Sequence, residues 1–178
     1  MFGRYEKFPE TVHGVALFNY QGSAKSIQQA ILCALHHLNN EVCDLGAVTP
    51  YLKQRCEVGF EFGVAESLVF NFLDEKELDQ CLGRIAEKEL QTLDFFFVVR
   101  YHATSNSGKW VPLRFDYHVL RFTFQEGCLE MRIRHEKGTQ RIPLDDLTDF
   151  IAKRINSELS RRRLSPLILR YFEKVRLQ

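Results

Sequence analysis

Four arginines are the residues whose types and spacing most clearly suggest chemistry. Arg132, Arg134 and Arg141 fall with Lys137 within ten positions of a segment that otherwise reads as strand, and Arg121 lies in the strand-like segment before it. A guanidinium group presents a planar fork of donors that matches the oxygens of phosphate and carboxylate. Like charges directly opposite each other destabilise a sheet by up to about 1 kcal/mol per pair. Such a cluster therefore has to be compensated.

Three forms of compensation fit the cluster. The guanidinium groups would point into water or pair with carboxylates of the acidic segment 41–94. Alternatively, they would bind an anionic ligand, with nucleic-acid phosphate as the leading class. They would otherwise dock on an acidic protein surface, which a second copy of this chain could supply.

Two turn dipeptides predict the register that brings the arginines together. A two-residue loop at Glu126-Gly127 and another at Lys137-Gly138 would join three antiparallel strands. The first loop predicts the pairs Phe124–Leu129, Phe122–Met131, Leu120–Ile133 and His118–His135 on one face, and Thr123–Glu130, Arg121–Arg132 and Val119–Arg134 on the other. The second loop predicts Ile133 opposite Ile142 and Arg134 opposite Arg141. We therefore expect the four arginines to share one face of the meander.

The apolar alternation changes phase upstream in the same strand. From Val111 to Tyr117 the odd positions are apolar, whereas from His118 onward the even positions are. Either a β-bulge near His118 or a strand whose two halves are covered on opposite sides would explain the change.

A second basic cluster, Arg161, Arg162 and Arg163, ends the amphipathic segment "KRINSELSRRRL". These side chains point in different directions around a helix, so one contact cannot use all three. A solvated cluster favoured by the helix dipole is one reading, and phosphate contact is the other.

Histidines and cysteines offer the remaining candidate chemistry. His118 and His135, predicted to face each other, could form a proton-transferring or metal-binding pair, or could simply finish the edge of a core. Cys33 and His37 lie four apart on a predicted helix, a spacing that suits two metal ligands, but no second ligand pair at finger-like spacing accompanies them. The chain contains no GxSxG, GxGxxG or GxxxxGK[ST] motif. We expect no catalytic residue, metal or cofactor.

The order of predicted elements gives the fold class, α+β. Strands at 11–20, 56–64, 67–73 and 92–102, with helices that begin after Ser23 and at Asp74, make the order β-α-β-β-α-β. This order resembles the ferredoxin-like arrangement, which hosts many unrelated functions. We expect one domain over 1–178, in which a split β-α-β part (1–102) is extended by an antiparallel β-meander (103–143) and two C-terminal helices (144–178).

Composition limits the protein class. The 178 residues are 45% hydrophobic with 15 Phe, which excludes a disordered chain. The five cysteines include no CxxC pair, no signal peptide is evident, and apolar runs are far shorter than the ~20 residues that span a membrane. These features predict a cytoplasmic protein that does not enter membranes. Charge is uneven: segment 41–94 has 5 basic and 12 acidic residues, net −7, and segment 153–178 has 8 basic and 2 acidic, net +6.

The sequence thus predicts a non-catalytic binding or regulatory domain that uses the arginine face and the basic C-terminal helices, with nucleic-acid phosphate as its ligand. One alternative is a protein–protein interaction module, either a homodimer or a domain with an acidic partner. The other is an enzyme acting on a small anionic substrate, with His118 or His135 transferring protons.

Overall fold

Eight strands and four helices occur in residues 1–51, 56–104 and 110–176, the parts of the chain that the computed structural model describes. The first half contains β1 (Gly14–Asn19), α1 (Ala24–Asn39), β2 (Val42–Asp44), α2 (Leu45–Val48), β3 (Glu57–Glu66), β4 (Val69–Phe72) and α3 (Glu75–Glu87). The second half contains β5 (Thr92–Thr104), β6 (Trp110–Gln125), β7 (Cys128–Lys137), α4 (Leu144–Arg161) and β8 (Ile168–Lys174). The α+β class predicted from the sequence is confirmed.

All strands belong to one sheet with the order β2-β3-β5-β6-β7-β1-β8, and β4 pairs with the remaining length of β3. Every neighbouring pair of named strands is antiparallel. A split β-α-β unit requires parallel strands joined by a crossover helix. Here β1 instead lies between β7 and β8. The structure therefore does not confirm the ferredoxin-like unit.

The predicted meander is only partly correct. Strands β5, β6 and β7 follow one another in the sheet, and the loop at Glu126-Gly127 has two residues as expected. The second predicted hairpin is wrong, because the neighbour of β7 is β1 and Gly14 occupies the place opposite Ile133 that Ile142 was expected to fill. After β7 the chain turns at Gly138, with φ +116°, and enters α4 instead.

The last predicted helix is also wrong, since residues 168–174 form the edge strand β8. Its apolar and aromatic residues suit a strand as well as a helix, so tertiary packing decides. Phe172 packs over Gly14 of β1, where a Cβ atom would lie 3.1 Å from the ring. The absence of a side chain at Gly14 thus leaves room for the Phe172 ring to pack on the sheet.

Helices α1 and α3 begin where the sequence predicts. Ser23 caps α1 by accepting a hydrogen bond from the Ser26 amide at 3.1 Å, and Asp74 caps α3 by accepting one from the Glu77 amide at 2.8 Å. These caps satisfy amide groups that the first helical turn leaves without partners. Between the helices and the sheet lies a core whose largest fully buried side chains include Phe60, Phe62, Phe95, Phe97, Phe122 and Tyr101.

The middle of the N-terminal segment (residues 1–13) crosses the opposite face of the sheet, which we call the open face, whereas Phe2 packs against the core. Its backbone forms bridges to Glu66 and Ser67, and the Tyr5 amide donates a hydrogen bond to the Asp94 carboxylate at 2.7 Å. The guanidinium group of Arg121 on β6 lies 4.2 Å from the centre of the Phe8 ring. This segment is therefore fixed to the middle of the open face.

No helix among the described residues is long and apolar enough to cross a membrane.

Candidate functional site

The register of β6 and β7 agrees with the sequence prediction. Arg121 lies opposite Arg132, Val119 opposite Arg134, and the histidines 118 and 135 face each other. Three of the four predicted arginines thus share the open face. Arg141 does not, since it follows β7 and its guanidinium group lies 5.5 Å from the ring centre of the buried Tyr101, on the helix-covered side. The predicted four-arginine surface is therefore wrong.

Arg121 is engaged by a buried carboxylate. Its Nε and Nη2 atoms each donate to Asp94 at 2.7 Å, and Nη2 also donates to the Tyr5 carbonyl at 3.3 Å. Asp94 is fully buried. Burial raises the pKa of Asp94, whereas the hydrogen bonds from Arg121 and the Tyr5 amide oppose that rise. This pair anchors the N-terminal segment, and Arg121 has little capacity left for a ligand.

Arg132 and Arg134 are compensated by neighbours on β7 and, for Arg134, also by Thr11 of the N-terminal segment. Arg132 donates to Glu130 at 2.7 Å. Arg134 Nη1 donates to the carbonyl and hydroxyl of Thr11 at 2.8 Å each, and Nε lies 3.4 Å from the Glu136 carboxylate. Both side chains keep partial exposure, so these surface pairs contribute little to stability and can rearrange.

The C-terminal arginines share one carboxylate. Arg161 and Arg162 each pair with Glu158, whose side chain is only 8% exposed, at 3.2 Å and 3.1 Å. Arg162 also donates to the Cys33 sulfur at 3.1 Å. Arg163 follows the end of α4 with φ +58° and is exposed. Because α4 packs on the helix-covered side, these arginines and those of β7 do not form one continuous surface.

The two facing histidines lie on the core side of the sheet. The rings of His118 and His135 are 5.1 Å apart, and His118 stacks on Phe97 at 4.7 Å. His118 is 2% exposed, and neither ring nitrogen has a hydrogen-bond partner among the described residues. Burial, with a smaller contribution from His135, lowers the pKa of His118 to about 3. A substrate could not reach this ring without opening the core, which disfavours the enzyme alternative.

His135 instead belongs to a buried cluster around Asp116. Asp116 accepts hydrogen bonds from the Tyr101 hydroxyl at 2.6 Å, from the Gln140 amide at 2.7 Å, and contacts His135 Nε2 at 3.0 Å. Burial by itself would raise the pKa of Asp116, but these hydrogen bonds outweigh it and the pKa lies below its ordinary value. The cluster holds the connection from β7 to α4, and it is a structural centre.

Cys33 and His37, the predicted pair of metal ligands, contact other side chains instead. Cys33 accepts from Arg162, and His37 Nδ1 lies 3.8 Å from the Glu158 carboxylate. Within the described ranges, no three His, Cys, Asp or Glu side chains form a group that could hold a metal ion.

The open face also carries a row of aromatic side chains that the sequence reasoning missed. We call it the aromatic row, and it consists of Tyr5, Phe70, Phe96, Tyr117 and Phe115. Successive ring centres are 4.6, 5.6, 5.6 and 5.2 Å apart. Phe115 is 43% exposed, and the Arg100 guanidinium lies 5.7 Å from its ring centre. The row crosses three strands on the open face, from the N-terminal segment to β6.

A groove of about 610 Å³ opens along this row. Its apolar lining is Tyr5, Pro9, Phe70, Phe96, Tyr117 and Val119, and its charged lining is Lys7, Arg134, Glu136 and Lys137. A β-bulge in β7 positions Lys137. Tyr117 faces Lys137 and the next residue, His118, faces His135, so Glu136 is the extra residue. We call this hollow the aromatic groove. The aromatic groove is thus lined by aromatic rings together with three cations and one carboxylate.

The change of phase in β6 was the signal that could have revealed the row. The side chains of Val111 and Leu113 lie outside the described residues, but from Phe115 onward the strand does not change face. Asp116 continues the buried even positions on the core side, and Tyr117 and Phe115 lie on the open face. Among the described side chains, the apolar groups of β6 therefore lie on the open face at Phe115 and Tyr117 and on the core side from Leu120 onward. The bulge beside His118 is in β7, and a second register shift lies where Arg100 pairs with Phe115 and His102 with Pro112.

Comparisons of this chain with protein-family models, with curated proteins and with solved structures find no match.

Proposed function

We propose that this protein is a non-catalytic binding domain that holds single-stranded nucleic acid on its open face. Bases would contact the aromatic row, and phosphates would contact Lys7, Lys137 and Arg134 at the aromatic groove. The carrying observation is that one groove combines an aromatic floor with three cations along its lining. Nucleic-acid phosphate is the ligand class that the arginine-rich sequence suggested. The residues proposed to contact it differ, because two of the three cations at the groove, Lys7 and Lys137, are lysines.

Aromatic side chains favour a single strand over a duplex. A base can contact a protein ring only when it is unstacked, and such stacking contributes about 1–3 kcal/mol per base. Lysine and arginine at the same groove supply the contacts to phosphate that make binding dependent on salt. Arg121 is omitted from the proposed site because Asp94 engages it. Arg132 remains a neighbouring contact on the same face.

The cellular setting is part of the proposal. All five cysteines are free in the structure, and three of them, Cys43, Cys56 and Cys81, are buried. Burial raises the pKa of each of these three thiols, so they stay protonated. Free, unreactive thiols fit a reducing compartment such as the cytoplasm.

Fluorescence anisotropy with a labelled single-stranded oligonucleotide tests the proposal. At about 50 mM salt the wild type should bind, and the double variant Lys7→Ala with Lys137→Ala should bind more weakly. Each lost phosphate contact should also reduce the slope of log affinity against log salt by about 0.7. The matched control, Lys76→Ala with Lys88→Ala, removes two exposed cations away from the groove and should bind like the wild type.

A second variant separates stacking from charge alone. Tyr117→Ala should weaken oligonucleotide binding about 5- to 150-fold, the equivalent of one stacked base. It should leave binding of inorganic polyphosphate, which has no bases, unchanged. Absence of oligonucleotide binding by the wild type would refute the proposal, and equal loss in the control variant would show non-specific attraction.

A further inference from the structure

Exposed apolar side chains concentrate at both edges of the sheet. At one edge, Ile168, Leu169 and Tyr171 of β8 are 57%, 50% and 50% exposed. Within the described chain β8 pairs with β1 alone, so its outer side presents backbone amides and carbonyls without strand partners. A long apolar edge strand of this kind is a ready template for another strand.

The opposite edge has the same character. There β4 pairs with β3 alone among the described strands. Val69 and Phe72 of β4 are 56% and 54% exposed, and Leu68 before them is 54% exposed. Val42 of β2, which pairs with the other half of β3, is 67% exposed. Both edges therefore offer apolar groups beside unpaired backbone.

The charges at the two edges are opposite. Segment 153–178, which includes β8, has 8 basic and 2 acidic residues, whereas segment 41–94, which includes β2, β3, β4 and α3, has 5 basic and 12 acidic. On β8, Arg170 and Lys174 are exposed beside one exposed carboxylate, Glu173. On α3, which follows β4 along the chain, Glu75 and Asp79 are exposed. The strand order places β8 and β4 at opposite ends of the sheet.

We propose that copies of this chain associate head to tail, with β8 of one copy pairing along the β4 edge of the next. This arrangement brings the basic edge against the acidic edge and covers apolar side chains on both. A symmetric contact between two β8 strands would instead bring together two edges of the same net positive charge, since each has two exposed cations and one exposed carboxylate. Because a head-to-tail contact leaves one free edge of each kind, the association is open-ended.

Two edge variants test the arrangement by sedimentation velocity. The first, Ile168→Lys with Tyr171→Lys, changes only β8, and the second, Val69→Lys with Phe72→Lys, changes only β4. Lysine on an edge strand discourages pairing. The wild type should form species of two and more subunits at about 0.02 M salt, and fewer at about 0.5 M, where charges are screened. Each variant alone should sediment as one subunit.

Mixing the two variants gives the decisive measurement. An equal mixture retains one intact β8 edge and one intact β4 edge, so it should form a two-subunit complex and nothing larger. If the β4 variant still forms dimers alone, β8 pairs with itself and the proposal is wrong. A wild type that sediments as a single subunit at every concentration also overturns the proposal.

Controls separate edge pairing from general stickiness and from misfolding. Tyr51→Lys removes an apolar side chain that is 87% exposed and belongs to neither edge strand, so it should associate like the wild type. Equal loss of association in that control contradicts the proposal. Should circular dichroism show that the β4 variant is unfolded, the charge reversal Glu75→Lys with Asp79→Lys replaces it without changing the sheet.

Discussion

Replacing His118 with leucine should remove much of the acid sensitivity of this fold. The ring is buried on the core side, stacks on Phe97, and finds no hydrogen-bond partner for either nitrogen among the described residues. Burial is the main reason that the pKa of His118 falls from 6.5 to about 3, with His135 and His13 lowering it further and Asp116 opposing them. The folded protein therefore keeps this ring neutral where the unfolded chain would protonate it.

The size of the effect follows from the width of that pKa window. One pKa unit corresponds to about 1.4 kcal/mol, so the unfolded state gains an advantage of about 5 kcal/mol between pH 6.5 and pH 3. The stabilisation is complete above pH 6.5 and is lost as the pH falls toward 3. In His118→Leu, this part of the pH dependence should vanish. Near pH 7 the variant should be at least as stable as the wild type, because an unpaired polar group is removed from the core.

Urea unfolding followed by circular dichroism at pH values from about 7 to about 4 measures the difference. Between pH 6 and pH 4 the free energy of unfolding of the wild type should fall about 1.4 kcal/mol per pH unit more steeply than that of His118→Leu. The control Phe97→Leu disturbs the same packing without removing a titratable group, so its curve should run parallel to the wild type. Parallel curves for the wild type and His118→Leu would refute the idea that burial keeps the ring neutral.

Three further changes test the contacts that hold the open face and its connections. Asp94→Ala should lower the free energy of unfolding by about 3 kcal/mol, because it leaves the Arg121 guanidinium, whose side chain is only 19% exposed, without its carboxylate partner. Glu61→Ala, which breaks an exposed pair, should cost at most about 1 kcal/mol, and equal losses would contradict this assignment. Gly138→Ala should lower the free energy of unfolding, measured in urea, by about 2–4 kcal/mol, since φ is +116° and the new Cβ atom would lie 2.6 Å from the Phe115 carbonyl oxygen. An unfolding midpoint equal to that of the wild type would show that the turn can relax. Asn39→Ala should cost about 1–3 kcal/mol, because its side-chain amide bonds three backbone groups of β3 and the β4–α3 connection, and a loss below about 0.5 kcal/mol would mean that water replaces it.

Local patterns predicted the pairing of β6 and β7 correctly. Leu120 and Phe122 alternate in phase with Met131 and Ile133, and Gly127 adopts the positive φ that a tight turn favours. These signals lie within a few residues of one another, so the register could be predicted from the sequence. The same logic failed at Gly138, whose positive φ serves a turn into α4 instead of a hairpin.

Long-range placement was beyond the reach of such patterns. Nothing in the composition of β1 indicates that Leu17 faces Glu130 on one side and Tyr171 on the other. Likewise, the pairing of Asp94 with Arg121 depends on which strands become neighbours. The candidate groove was missed for the same reason, since it forms only where the N-terminal segment crosses the sheet.

The insertion of β1 between β7 and β8 has a consequence for synthesis on the ribosome. Gly14 must wait for Ile133 and then for Lys174, its two partners in the sheet. At about 5–20 residues per second, the nascent β1 spends on the order of ten seconds with both of its sides unsatisfied. A meander built from β5, β6 and β7 could assemble earlier, so completion of the sheet is a late, non-local step that slows folding and leaves a window for chaperone capture.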